Sequence, residues 1–235
     1  MSTSPEASAV EEEQPASIIL VSYPKIVFMY PTLIMSLIAA IYTTFGTNVL
    51  DPTNETASLI NALFVGILGI NLVVLAFDFP RTTSLTLFFL LAAIGMGLIL
   101  MFTLKPDWLP VIRDIVYTYH PAANATFYWS MVAMLAIIYG FMFAQLKFDY
   151  WEVRPNELLH HHGALSNLER FSAPNMRIDK EVNDLFEYML LQSGRLIIHP
   201  DKEPRAIILD NVPFISRKET ELTRMLGALQ VQVRK

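Results

Sequence analysis

Long charge-free stretches, interrupted by short polar ones, dominate the first two thirds of the chain. Between Ile26 and Phe77 the only charged residues are Asp51 and Glu55, and none occurs in 82–104 or 121–146. A helix needs roughly 20 mostly apolar residues to cross the hydrocarbon layer of a bilayer. Four segments meet that requirement: about Ile26–Phe45, Ser58–Phe77, Ser84–Thr103 and Thr126–Leu146. The pattern predicts a membrane domain over 18–147 with four transmembrane helices. Residues 1–17 precede it as a disordered acidic tail, since four glutamates and two prolines leave little to bury.

From Phe148 onward the pattern changes to short runs with regular charges. Alternation over YWEVR, ELLHHH, LERFSA, MRIDKEV, GRLIIHP and RAIILDNV predicts about six strands, with turns at Pro155-Asn156 and from Gly163 to Asn167. DLFEYMLLQSG reads as helical or irregular. In the last helix, Phe214, Leu222, Met225, Leu226 and Leu229 form an apolar stripe to lay over the sheet. Ser216 and Glu219 stand at capping-box spacing at its start.

Near the N-terminus, SIILVSY (Ser17–Tyr23) is an apolar, β-branched run before Pro24. It is either the beginning of the first span or a strand added to an edge of the C-terminal sheet. Periodicity does not separate the two in so short a run.

Composition agrees with a membrane protein: 53% of the 235 residues are hydrophobic, 17% are charged, and mean hydropathy is +0.40. Basic residues flanking the spans are biased, with Lys25, Arg81, Lys147 and Arg154 on one side and Lys105 and Arg113 on the other. By the positive-inside rule both termini are cytoplasmic. The segment around Asp51 is then an outside loop, containing a sequon at Asn54-Glu55-Thr56. The longer outside segment sets Leu109, Ile112 and Val116 on one helical face among aromatic rings, which fits a short interfacial helix ending near His120.

Pumps and proton-coupled transporters place ionisable groups inside the bilayer, and none lies at mid-depth here. The polar candidates are Asn61, Asn71 and Gln145, which suit hydrogen bonds between helices. Small residues recur at four-residue spacing at Ala62 and Gly66, Ala93 and Gly97, and Ala136, Gly140 and Ala144. They permit close backbone approach, either inside this chain or between subunits. The last set is the candidate helix-packing face. No cysteine is present, which removes disulfides, thiolate zinc sites and cysteine nucleophiles.

The triplet His160-His161-His162 is the main chemical candidate. On a strand His160 and His162 share one face and His161 takes the other. Two histidines at that spacing can ligate a metal, but a stable site requires a third or fourth ligand. His199, Glu169 or Asp201 would complete it only if the fold brought one near. The reading is therefore a plain strand face with no catalytic residue, cofactor or metal, His160 and His162 being the nearest to a ligand set.

The order of these elements resembles the bacterial pleckstrin-homology-like domains. The residues that carry it are Val153–Leu159 (VRPNELL), Gly163, Ile178 to Val182, Leu185–Ile198 (LFEYMLLQSGRLII) and Ile207–Pro213 (IILDNVP), over about the last third of the chain. The resemblance implies a small cytoplasmic β-barrel capped by a C-terminal helix over 148–235, in a bacterial inner membrane, used for protein contacts or oligomerisation. The segment Lys147–Lys235 balances 13 Lys and Arg against 13 Asp and Glu, with no concentrated basic patch for headgroups or nucleic acid. The function expected is a non-enzymatic scaffold in the bilayer that binds a protein partner or itself. The alternatives are a small channel or transporter subunit, and a metal-dependent membrane enzyme using the His160–His162 cluster.

Overall fold

A computed structural model describes residues 17–51, 53–105, 110, 121–163, 167–173, 176–200 and 203–233. The acidic tail, the interfacial helix with Leu109, Ile112, Val116 and His120, and Asp201 lie outside the described residues.

A 3-10 turn over Lys25–Met29 leads into helix α1 (Tyr30–Phe45), with a proline in its first turn, where a missing N–H costs nothing. Helix α2 (Glu55–Ala76) starts at Asn54, whose side chain accepts from Ala57 N at 3.1 Å. The sequon asparagine is thus an N-cap. Helix α3 (Arg81–Leu104) follows Pro80, and helix α4 (Ala125–Phe148) is capped by Asn124, which accepts from Phe127 N at 2.9 Å. Four helices are long and apolar enough to cross a membrane.

Helix α1 is the centre of the bundle. Thr32, Ser36, Ala39 and Ala40 are fully buried on one of its faces, and Ala39 and Ala40 cluster with Phe64 of α2 and Tyr128 of α4. Small side chains let the helix axes approach where lipid supplies no hydrophobic drive. The hydroxyls of Ser36 and Thr43 return to the backbone carbonyls of Leu33 and Ala39, at 2.9 and 2.7 Å. Helix α3 lies at the periphery: among its described side chains only Ser84 is buried.

Strands β1 (Ile18–Leu20), β2 (Asp149–Val153), β3 (Glu157–His162) and β4 (Asn167–Ser172) form one antiparallel sheet in that order. Strands β5 (Arg177–Glu181), β6 (Gly194–His199) and β7 (Ile207–Val212) form a second. Helix α5 (Leu185–Leu191) joins β5 to β6, and helix α6 (Ile215–Val233) ends the chain. SIILVSY therefore contains an edge strand, with Ile18 opposite Val153 and Leu20 opposite Trp151. Ile18 and Leu20 enter the core while Ile19 stays 53% exposed, as a two-residue period requires.

The two sheets and α6 share one apolar core, built on Leu20, Val153, Leu158, Leu196, Ile198 and Leu222. At Gly194 a Cβ atom would sit 2.8 Å from the carbonyl oxygen of Glu181, so β6 begins beside the end of β5 where only glycine fits. Gly163, at φ +78°, makes the β3–β4 turn in the left-handed region.

The expected barrel does not close. β1 has three residues and is followed by Pro24 and the turn into α1, so no ladder extends from it to β7, and among the described residues β4 does not pair with β5 either. Instead two side chains bridge the gap: Ser22 Oγ donates to Asp210 O at 2.6 Å and Asn211 Nδ2 to Tyr23 O at 3.1 Å. The stripe on α6 also differs. Leu222 and Met225 are buried, but Phe214 occupies a turn at φ 50° and is 55% exposed. Helix α6 begins at Ile215, which puts Ser216 inside it, and Glu219 accepts from Lys180 Nζ at 2.7 Å.

Candidate functional site

Three places carry unusual chemistry: the junction between bundle and sheets, the histidine face, and the outer face of α4.

At the junction, the turn between α2 and α3 meets α5. Asp184, 5% exposed, caps α5 by accepting from Phe186 N and Glu187 N at 2.7 and 3.1 Å. Its second oxygen accepts from Phe79 N at 2.6 Å, and Leu185 N donates to Phe79 O at 3.2 Å. The Phe79 and Phe186 rings meet edge-on at 4.9 Å, a favoured aromatic geometry. Lys25 pairs with Asp78 and, at 3.4 Å, with Glu187. Burial pushes the Glu187 carboxyl above its ordinary range, with Lys25 opposing. Asp78, Asp184 and Glu187 are close enough to hold an ion. Lys25 and three backbone N–H groups already occupy those carboxylates, so this cluster is a structural clamp.

The histidine face is built by register. His160 lies opposite Trp151 on β2 and Glu169 on β4, and His162 lies opposite Asp149 and Asn167. The rung below, Val153–Leu158–Phe171, belongs to the apolar core. His160 and His162 thus continue the core-facing side of the sheet at its open end. His160 stacks on Trp151 with centroids 4.0 Å apart and planes within 5°, and on His162 at 4.8 Å. His160 Nε2 is 3.0 Å from Asp149 Oδ1. Beside it a cavity of about 230 Å³ opens among Asp149, Trp151, Gln145 and Leu209, against the end of α4. His161 is on the other face, stacked on Tyr150 at 4.5 Å and 3.2 Å from Glu152 Oε2. The Arg154 guanidinium holds Glu152 below the usual carboxylate range against the effect of burial, with Ser17 and His161 adding to it.

The alternation of the three histidines follows the expectation, but the face that His160 and His162 share is the core face. Of the suggested third ligands, the fold brings Glu169 to them and takes His199 to the other sheet, where it pairs with Asp179.

In the bundle, Asn71 Nδ2 donates to Thr32 Oγ1 at 2.7 Å, and Asn61 Oδ1 accepts from the Tyr128 hydroxyl at 2.6 Å. Both amides bond neighbouring helices. Of the repeated small residues only Ala62 is half-buried, and the others face outward. Ala136, Gly140 and Ala144 are all exposed, and an added Cβ at Gly66, Gly97 or Gly140 would meet nothing within 4 Å. Gln145 is exposed at the lower end of α4. The close-packed small face is instead on α1, at Ser36, Ala39 and Ala40.

No family model, curated protein or solved structure matches this chain.

Proposed function

We propose that the protein is a non-enzymatic membrane scaffold that associates with further copies of itself. Four transmembrane helices anchor it in a bacterial inner membrane with both termini cytoplasmic, and its β-sheet region is a pleckstrin-homology-like module for protein contacts. The observation that carries this reading is the outward-facing stripe Ala136, Gly140 and Ala144 on α4. The chain packs its own bundle through a different small-residue face, so the α4 stripe is left for a helix from outside. Small residues one turn apart are the surface on which transmembrane helices approach most closely. A second support is the clamp around Asp184, which fixes the sheets to the bundle so that pairing of helices also orders the sheet regions. Lys25, Arg81, Lys147 and Arg154 flank the spans at the sheet end, which favours the cytoplasmic side for that end.

Replacing Gly140 with Leu tests this by filling the stripe. The expected result is a smaller assembly on gentle extraction, with each protomer's fold intact. An assembly of unchanged size removes α4 as the contact.

A further inference from the structure

We propose that His160, His162 and Glu169 form a binding site for one divalent transition-metal ion of the zinc class, at the open end of the inter-sheet core. The inference does not depend on self-association through α4, and either can fail alone.

One ligating atom from each of the three side chains lies within 4.8 Å of the other two. Three protein donors of the His, His, carboxylate type with an open position are a recurring set for zinc and related ions. The surroundings of the two rings add to that distance. Asp149 Oδ1 is an acceptor 3.0 Å from His160 Nε2, so Nε2 carries the proton and donates. Its Nδ1 faces Glu169 Oε2 at 3.6 Å, so the ring lies between two carboxylates, an arrangement that positive charge stabilises. His162 Nδ1 is buried without any hydrogen-bond partner, and it alone has that status among the described side chains. A buried unpaired ring nitrogen costs free energy that coordination would recover.

The surroundings fit the role. Metal-ligating histidines commonly donate the other ring N–H to a carboxylate, which fixes tautomer and orientation. Asp149 stands in that relation to His160, and the Trp151 ring holds the imidazole plane from one side. The apolar rung below, formed by Val153, Leu158 and Phe171, lowers the local dielectric and strengthens charge–charge contacts. Donor type sets the ion class: two imidazoles with one carboxylate, and no thiolate in the chain, suit zinc, cobalt or iron(II) better than calcium or magnesium.

The test titrates ZnCl₂ into the full-length protein in detergent after removal of bound metal with a chelator. One equivalent should bind saturably, and Co²⁺ in its place should give visible d–d absorption without a thiolate charge-transfer band. His162→Ala and Glu169→Gln should each weaken zinc binding at least tenfold, and Asp149→Asn about 10–100-fold through loss of ring orientation. Glu169 is on an exposed strand, so its isosteric variant retains the fold, which a metal-free melting curve verifies. His161→Ala should bind zinc as wild type does. No saturable binding in the wild-type protein would overturn the proposal. So would equal losses in His161→Ala and His162→Ala.

Discussion

Asp184 accepts a hydrogen bond from the backbone N–H of Phe79 at 2.6 Å, across 105 residues of sequence. The same carboxylate caps α5, so one buried side chain joins the α2–α3 turn to the sheet region. The chain ties the sheet region to the bundle twice, through β1–α1 and through α4–β2, and this contact, with Lys25 beside it, adds a tie through the α2–α3 turn.

Removing that carboxylate should release the junction. Asp184→Ala loses a helix cap and leaves the Phe79 N–H buried without a partner, together about 2–4 kcal/mol. Hydrogen exchange should quicken at 77–81 and 185–191 and leave the α1 interior unchanged. Faster exchange throughout α1 would show the effect to be global.

The edge strand makes a second expectation. Leu20 is fully buried between the two sheets, so Leu20→Ala should cost about 2–5 kcal/mol of the sheet region's stability. Ile19→Ala, on the exposed face of the same strand, should cost far less. Equal melting of the two variants would mean that β1 does not stay docked.

Docking of β1 should also respond to acid. Glu152 is held below the usual carboxylate range chiefly by Arg154, with help from Ser17 immediately before β1. The folded state therefore binds this proton less readily than the unfolded chain. Its contribution is present above the unfolded carboxyl pKa and is lost as pH falls through the lowered folded value. Protection of the Ile18–Leu20 amides, taken relative to the intrinsic exchange rate at each pH, should fall on acidification, and Glu152→Gln should flatten that fall. Glu187 has the opposite sign, since burial raises its folded pKa: its contribution is complete at low pH and is lost as pH rises through that raised value.

Much of this architecture can be read in the sequence, and the reasons for the exceptions are physical. Charge-free runs mark the four helices long and apolar enough to cross a membrane, since burying a charge in lipid is costly. They do not say which face of a helix turns inward, since lipid-facing and buried faces are equally apolar. That is why the Gly140 stripe and the Ser36–Ala40 face could be told apart only in three dimensions. The His160–His162 alternation follows from strand period alone. Glu169 joins them only through the β3–β4 register, which depends on the turn at Gly163. Barrel closure requires β1 to pair with β7 and β4 with β5, long-range registers that no local pattern carries, and neither forms among the described residues.

Within the bundle, the buried pairs should be modest contributors. Replacing Asn71 with Leu or Tyr128 with Phe should each cost about 0.6 kcal/mol, the average for hydrogen bonds between membrane helices. A steric-trapping measurement in bicelles reads differences of that size. A loss several times larger from either change would assign that group a role beyond helix contact.

Self-association is the central claim, and a native mass spectrum of the intact wild-type protein, gently released from its own membrane, tests it most directly. A defined multimer of this chain, reduced by Gly140→Leu, is the expected result. A bare monomer under conditions that preserve known membrane oligomers would contradict it.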